Sequence, residues 1–208
     1  MGAIKFPHTS GNSMSIAAPA TNPASDLTLT LPVNTGTSGQ VLQTDGSGNL
    51  SFGKIAFQSY ACIADRKGGT AHGGSTSAAT WMTRELQTEI FDPDDIVSIN
   101  NSNQFTLAAG TYFIDWTCPI YKGNGGISIL YDITGSAELA QSTSPRSNSS
   151  TSSGVDQRGF AQISPSGSNV YEIRQKVQAA KATYGLGTAG EYGAYSIYTQ
   201  VLIYKEVS

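Results

Sequence analysis

Charged residues are scarce in this sequence of 208 residues, because Asp, Glu, Lys and Arg together make up only 13% of it. An average soluble domain contains about 25%. The 12 basic and 15 acidic side chains give a net charge of −3, whereas a nucleic-acid-binding protein presents a dense basic surface. No apolar run approaches the roughly 20 residues of a membrane helix. We therefore expect neither nucleic-acid binding nor membrane insertion.

Cysteine and histidine are equally rare. Cys62 and Cys118 are too few for a disulfide scaffold or a structural zinc site, and each lies in an apolar run. We therefore expect free, buried thiols rather than a disulfide. The two histidines, His8 and His72, lie in segments rich in Gly or Pro, and no Gly-x-Ser-x-Gly motif is present. A hydrolase triad is not predicted, and the expected protein is neither an enzyme nor a cofactor carrier.

Two short motifs could bind ions but have simpler interpretations. The segment 91–95 places Asp92, Asp94 and Asp95 close together, and Ca²⁺ prefers several such oxygens. No twelve-residue loop ending in Glu follows, so a proline turn with solvated acids is favoured. The glycine-rich segment 68–74 could hold a phosphate only if a helix began after it, and none is predicted. No metal site is expected, and residues 1–7 lack the pattern of a signal peptide.

The pattern of residues changes near position 54, which predicts two regions, 1–54 and 55–208. In the first region, Leu and Thr alternate over 26–32, which indicates a half-buried strand that Pro32 ends. The segments 39–44 and 50–52 flank a turn rich in Gly and predict a β-hairpin. The large apolar side chains of this region are Leu27, Leu29, Leu31, Val41, Leu42, Leu50 and Phe52.

These seven side chains are too few to stabilise a unit of this size alone. We expect them to be buried against the second region or against identical copies of the chain, of which symmetric assembly is the simpler solution. They are accordingly the candidate contacts for self-assembly.

The second region contains many short apolar segments separated by Gly, Ser and Asn. Strands are predicted at 57–64, 84–90, 96–99, 104–107, 111–118, 127–133, 159–163, 171–179 and 195–205. The composition of 171–179 suits a helix, but its apolar residues recur with period two, which favours a strand. Apolar residues occupy both faces of 195–205, which is typical of a central or interface strand. The expected fold is an all-β sandwich or jelly roll.

Tyrosines are frequent in the second region and are its clearest functional feature. A tyrosine combines a broad apolar face with a hydrogen-bonding tip, which suits recognition surfaces and subunit interfaces. Most of them are expected to pack inside the sandwich, whereas Tyr184 and Tyr192 lie in the predicted loop 182–193. The serine-rich segment 142–154 is too polar for a core and is predicted to be a surface loop. The candidate receptor contacts are Tyr121, Arg146, Arg158, Tyr184 and Tyr192.

Two parts of the chain resemble known families. The segments 28–32 and 39–52 resemble a stretch that recurs in trimeric bacteriophage fibre and appendage proteins. The segments 84–88, 96–98, 103–112 and 198–206 are similar to phage-borne versions of the complement globular-head and tumour-necrosis-factor-like jelly roll. The resemblance implies an all-β homotrimer: a short N-terminal β anchoring segment followed by a jelly-roll β-sandwich.

The same resemblance implies a role and a location. It implies an inner sheet at the three-fold contact, distal loops that touch a partner, and assembly into a virion inside the bacterial cytoplasm. With this resemblance, the seven large apolar side chains of 1–54 become the candidate contacts for trimer formation and for anchoring in the virion. The implied partners are further copies of the chain, other phage structural proteins of the tail, baseplate or capsid, and a host-surface glycan or protein. A short tail fibre, a baseplate-attached tip and a knob on the head all remain open, since 54 residues are short for a fibre shaft.

Three functional hypotheses follow. The first is a trimeric fibre or knob whose jelly-roll loops bind a host-surface glycan. The second is a capsid decoration protein that stabilises the head and binds no receptor. The third, a depolymerising enzyme, requires a pair of carboxylates across a groove, and the sequence offers no convincing pair.

Overall fold

The chain forms two units, Met1–Lys54 and Ile55–Ser208. The computed structural model of the protein describes residues 3–7, 9–17, 19–21, 23–53 and 59–206. His8 and the first two residues of the strand predicted at 57–64 lie outside the described residues.

The first unit contains two antiparallel hairpins. Its strands are β1 (Ala3–Pro7), β2 (Ser13–Ala17), β3 (Val41–Thr44) and β4 (Leu50–Gly53). The predicted hairpin is present as β3 and β4, in which Leu42 lies opposite Phe52. The ring of Phe52 lies against the backbone of Gly36, whose φ of +71° and lack of a side chain permit the contact. The β1–β2 hairpin was not predicted.

The strand predicted over 26–32 is wrong. Only Thr30 pairs there, in an isolated bridge with Asn49. Leu27, Leu29 and Leu31 are 75%, 64% and 74% exposed, so they are not half-buried as predicted. The alternation is real, but a strand needs a continuous ladder of partners, and among the described residues this segment forms only one bridge to the β3–β4 hairpin, at Thr30.

The second unit is a sandwich of two antiparallel sheets. Its strands are β5 (Ser59–Gly68), β6 (Met82–Thr83), β7 (Thr88–Phe91), β8 (Ser98–Ile99), β9 (Phe105–Leu107), β10 (Tyr112–Tyr121), β11 (Gly126–Asp132), β12 (Ala137–Gln141), β13 (Gly154–Ile163), β14 (Asn169–Val177) and β15 (Tyr195–Lys205). One sheet has the order β13-β10-β15-β5-β7. The other has the order β12-β11-β14-β9-β8, with β6 beside β14.

The pairing of eight of these strands is nested. β5 pairs with β15, β9 with β14, β10 with β13, and β11 with β12, so the first strand meets the last and each inner pair follows in turn. The pairs alternate between the two sheets. This arrangement is the jelly roll, and it confirms the all-β jelly-roll class expected from the sequence.

The core lies between the two sheets and shows the strand periodicity clearly. Along β10, alternate side chains from Tyr112 to Ile120 are buried, and the indole of Trp116 donates a hydrogen bond of 2.9 Å to Ser128 Oγ. Along β14, Tyr171, Ile173, Gln175 and Val177 are buried on one face, which confirms a strand rather than a helix there. Cys62 and Cys118 are free and buried, as expected.

The predicted strand over 84–90 is correct only at its end. Met82–Thr83 and Thr88–Phe91 are strands, but the residues between them cross from one sheet to the other. The amide of Arg84 donates to the carbonyl of Ile173 in the six-stranded sheet, and the amide of Gln87 donates to that of Ala64 in the five-stranded sheet. The crossing segment therefore spans both sheets, and the side chains of Arg84 and Leu86 are buried within it.

Candidate functional site

One end of the sandwich contains its three longest connections, 69–81, 142–153 and 178–194, together with the short connection 122–125. We call this end the loop end. β5, β10, β12 and β14 finish there, whereas β11, β13 and β15 begin there, because paired strands are antiparallel. Binding residues on rigid sandwiches commonly lie in such connections.

Backbone hydrogen bonds hold two of these connections together. Thr76 and Lys181 exchange backbone hydrogen bonds of 2.8 and 3.2 Å, and the amide of Gly74 donates to the carbonyl of Thr183 at 3.1 Å. The amide of Tyr121 donates to the carbonyl of Gly185 at 3.0 Å, which ties the end of β10 to the same loop. The surface is therefore largely ordered before any ligand arrives, which lowers the entropic cost of binding.

Tyr121 and Tyr184 lie in contact at the loop end. Their rings meet edge to face with centroids 5.5 Å apart, and His72 packs against Tyr184 at 5.6 Å. The ammonium group of Lys122 lies 5.5 Å from the ring of Tyr121, and that of Lys181 lies 4.8 Å from the ring of Tyr184. The cluster combines apolar faces, hydroxyl groups and positive charge, which suits a polar ligand with an electron-rich surface.

The other predicted receptor contacts divide between two places. Arg146 is exposed at the loop end, and Tyr192 is fully exposed there. Arg158 lies elsewhere, on the outer face of the five-stranded sheet, where its guanidinium group pairs with Asp115 at 2.5 and 3.2 Å. The structure thus brings four of the five candidates to one end and separates Arg158 from them.

The outer face of the five-stranded sheet is apolar and aromatic. We call it the aromatic face, and it consists of Tyr60, Phe91, Phe113, Phe160, Leu202 and Tyr204. Phe160 is 69% exposed, and Tyr60 and Phe91 are 46% and 41% exposed. Sequence reasoning identified apolar residues on both faces of 195–205, and β15 is indeed central. It missed the remaining members. The alternation of Phe160 with the small residues Gly159 and Ala161 in the predicted strand 159–163 was a signal that could have identified an apolar outer face.

A buried cation links the core to the loop end. Arg84 is fully buried, and its guanidinium group donates to Thr199 Oγ1 at 2.6 Å, to Gln175 Oε1 at 3.1 Å and to the carbonyl of Leu186 at 3.2 Å. Burial lowers the pKa of Arg84, and burial also raises the pKa of the thiol of Cys118. Because Leu186 belongs to the loop that holds Tyr184, Arg84 fixes that loop from within. Sequence reasoning did not single out this residue.

A buried carboxyl group accompanies this cation. Asp65 is almost completely buried in β5, and the ammonium group of Lys67 lies 3.7 Å from its Oδ1. Desolvation raises the pKa of Asp65 to about 6, against a smaller opposing effect of Lys67. Lys67 also pairs with Glu85 at 2.7 Å.

The acidic turn at 92–95 has a structural role. The carboxylate of Asp92 accepts hydrogen bonds from the amides of Ile96 and Val97 at 3.0 and 2.9 Å. Among the residues that the structure describes, no group of three or more His, Cys, Asp and Glu side chains is placed to hold a metal ion. The described residues also include no helix that is long and apolar enough to cross a membrane.

Fold and strand pairing together define an all-β jelly-roll protein. Neither a known protein family nor a curated protein sequence matches this chain. Several solved structures are similar to this chain at low identity. Murine APRIL at pH 5.0 is 8% identical, with a TM-score of 0.49 over 71% of this chain and 98% of that chain.

Two further structures have similar values. The globular domain of zebrafish complement 1qA is 10% identical, with a TM-score of 0.42 over 72% of this chain and 96% of that chain. Eiger TNF from S. frugiperda is 10% identical, with a TM-score of 0.44 over 70% of this chain and 90% of that chain. Because all three TM-scores are below 0.5, the fold assignment rests on the strand pairing and not on these likenesses.

Proposed function

We propose that this protein is a homotrimeric attachment module of a phage virion, in which the aromatic face joins the subunits and the loop end binds a host-surface glycan. The observation that carries the proposal is the aromatic face itself. An antiparallel sheet normally presents polar side chains on its solvent face, but here Phe113, Phe160 and Tyr60 occupy it.

Large apolar patches with polar residues among them are typical of protein interfaces. The ion pair between Arg158 and Asp115 lies within the aromatic face, beside Phe160 and Phe113. Such a pair fixes the register of an interface more than it contributes affinity. The number of subunits, three, and the use of this sheet follow from the resemblance of the sequence to trimeric jelly rolls.

The first unit supports assembly independently. Leu27, Leu29 and Leu31 are exposed in the single chain, together with Val41 and Leu42, whereas Leu50 and Phe52 are half-buried. Burial of a leucine or valine side chain contributes about 1.5–3 kcal/mol of favourable free energy, which these exposed side chains do not gain in the single chain. We therefore assign this segment to contacts with other copies of the chain and with phage tail, baseplate or capsid proteins.

The loop end supports ligand binding. Tyr121 and Tyr184 offer apolar faces beside hydroxyl groups, and Lys122 and Lys181 supply positive charge. Sugar rings present the complementary combination of apolar CH groups and hydroxyls. Together with the phage-fibre resemblance, this favours a virion component that contacts the host cell.

The test of assembly is the molar mass in solution. Multi-angle light scattering at micromolar concentration is expected to give three times the 21.8 kDa of one chain. Phe160→Asp is expected to give a folded monomer, whereas Tyr192→Asp, which adds the same charge at an exposed loop tyrosine, is expected to leave the trimer intact. A monomeric wild-type protein at these concentrations overturns the proposal.

The test of attachment is binding to host cells and to glycan arrays. Tyr184→Ala is expected to abolish binding by the trimer, while Glu138→Ala, at an exposed position of the edge strand β12, leaves it unchanged. The alternative, a capsid decoration protein, is favoured by the exposed leucines of 27–31, which suit addition to capsid proteins. It predicts instead that particles without the protein lose heat resistance but infect normally. Electron microscopy of intact particles would locate the chain directly.

A further inference from the structure

A groove of about 510 Å³ lies at the loop end. Its floor is apolar and includes Ile127, Val177 and Pro145, and its rim includes Arg146, Lys176 and Gln178. The volume falls within the range of about 300–1,000 Å³ that is typical of small-molecule sites. An apolar floor with a few polar groups at the rim is also typical of such sites.

The groove carries two positive charges and no negative one. Among the described residues that line it, Arg146 and Lys176 are cationic and none is acidic. Within the described part of the chain, neither residue forms an ion pair. The protein has few charged residues and a net charge of −3. The groove is therefore a site of positive charge on a protein that is negative overall.

Local contacts fix the rim. Arg146 forms an antiparallel bridge with Gly125, and the amide of Ser147 donates to the carbonyl of Asn124 at 2.7 Å. The amide of Gln178 donates to the carbonyl of Gly125 at 2.8 Å, so the strand ends on both sides of the groove are tied together. The backbone that carries the guanidinium group is therefore positioned without a ligand.

An aromatic side chain lies beside Lys176 of this groove. The ammonium group of Lys176 lies 5.6 Å from the centre of the Trp81 ring, and Trp81 is 37% exposed. The exposed indole offers a flat apolar surface next to a cation. A sugar ring can pack its CH groups on such a surface while its hydroxyls meet polar groups such as the amide of Gln178.

We propose that this groove binds the carboxylated sugar of an acidic glycan, with Arg146 and Lys176 as partners of the carboxylate. Arg146 can form two parallel hydrogen bonds to a carboxylate, and Lys176 contributes a point charge. The inference rests on the proposed function, because it names the chemical class of the glycan that the loop end binds. A peptide carboxylate is the competing ligand, but it would leave the apolar floor and Trp81 without a matched surface.

The probe is D-glucuronic acid, with D-glucose as its neutral counterpart and with sodium acetate and N-acetyl-glutamate as carboxylates without a sugar ring. Saturation-transfer difference NMR and calorimetry on the full-length protein measure binding. We expect glucuronic acid to bind at least about tenfold more tightly than the other three compounds. Glucose lacks the charge-assisted contact of the carboxylate, whereas acetate and N-acetyl-glutamate lack the packing of the sugar ring. Saturation transfer should reach its ring protons.

Variants locate the site. Arg146→Gln and Lys176→Gln are each expected to weaken binding of glucuronic acid at least fivefold, and Arg146→Lys is expected to weaken it less than Arg146→Gln. Arg66→Gln removes an exposed cation of β5, outside the groove lining, and should leave binding unchanged. Equal binding of glucose or of N-acetyl-glutamate, or full binding by Arg146→Gln, overturns the inference.

The two proposals fail separately. If glucuronic acid does not bind but the trimer still attaches to cells in a manner that Tyr184→Ala abolishes, the groove assignment is wrong and the attachment module stands. If glucuronic acid binds to a protein that is monomeric in solution, the groove assignment stands and the trimeric module is wrong.

Discussion

Phe113 and Phe160 stack across neighbouring strands of the five-stranded sheet, with ring centroids 6.1 Å apart and 21° between the ring planes. Both rings lie on the face that turns away from the core, and Phe160 is more exposed than any other aromatic residue of the described strands. Two stacked phenylalanines on an outer face indicate a surface that a partner covers. This relationship links the fold to the proposed assembly and gives rise to the first prediction.

Arg158→Asp is expected to weaken the trimer. It places a second carboxylate beside Asp115, where the wild-type protein has an ion pair. Because two carboxylates would then face each other at the proposed interface, the dissociation constant should rise at least tenfold, measured by analytical ultracentrifugation. The swapped pair, Asp115→Arg with Arg158→Asp, should recover at least half of the lost free energy. If Arg158→Asp dissociates no more readily than wild type, the pair lies outside the interface.

Arg84 is expected to stabilise the core and the loop end together. Arg84→Met retains much of the side-chain volume but leaves Gln175 and the carbonyl of Leu186 without their donor, at a cost of about 1–3 kcal/mol per buried group. Arg84→Ala should cost more because it also leaves a cavity. Urea unfolding at fixed protein concentration measures both. Equal stability of Arg84→Met and wild type would show that these hydrogen bonds contribute nothing net.

Hydrogen exchange tests the link between Arg84 and the loop. In Arg84→Met, the amides of Leu186 and Gly187, which bond to Gly74 and Tyr184, should exchange faster than in wild type. The amides of β11 should change less. Uniform acceleration across the whole sandwich would indicate a general loss of stability instead.

Asp65 is expected to make stability depend on pH. Its pKa in the folded protein is raised to about 6 from 3.8, so the folded state holds this proton more tightly than the unfolded chain does. The contribution of Asp65 to the free energy of unfolding therefore falls as pH rises from about 4 to about 6 and stays constant above. The decline in the free energy of unfolding amounts to at most about 3 kcal/mol. Asp65→Asn should abolish it. An identical pH profile for wild type and Asp65→Asn between pH 4 and 7 contradicts the prediction.

Gly159 is expected to tolerate no side chain. A Cβ atom there would collide with the indole of Trp116, which is buried and held by Ser128. Gly159→Ala should therefore lower the free energy of unfolding by about 1–3 kcal/mol. Gly167 faces open space, and Gly167→Ala should change the stability by less than about 0.5 kcal/mol. Equal effects of the two substitutions in chemical denaturation would argue against the packing of Trp116 on Gly159.

Most strands of the sandwich could be predicted because their pattern of apolar residues matches the pleat. Over 169–177 the period of two outweighs a composition that suits a helix, since one face must meet the core. β12 escaped prediction because it is an edge strand whose residues are mostly exposed, so its sequence carries little apolar alternation. The strand prediction was wrong over 84–87, because a segment that crosses between sheets buries side chains without forming a strand.

The candidate site was predictable only in part. Loop tyrosines and Arg146 could be named because polar, Gly-rich segments indicate surface connections. The contact between Tyr121 and Tyr184 could not be predicted, because the two residues are far apart in the sequence and meet only when β10 and the loop after β14 end at the same place. The groove of Arg146 and Lys176 depends on the same convergence.

The class of fold follows from the sequence alone, since alternation with period two and frequent turn residues permit little besides an all-β sandwich. The shortage of apolar partners near the leucines of 27–31 is also evident from the sequence. Which faces meet, in contrast, depends on the tertiary structure. Nested pairing of strands distant in the chain places one set of aromatics in the core and another, including Phe160, on an uncovered face. Local sequence cannot distinguish these sets, because both are apolar residues at alternate positions of a strand, and only the partner strand and the opposing sheet determine which side becomes the interior.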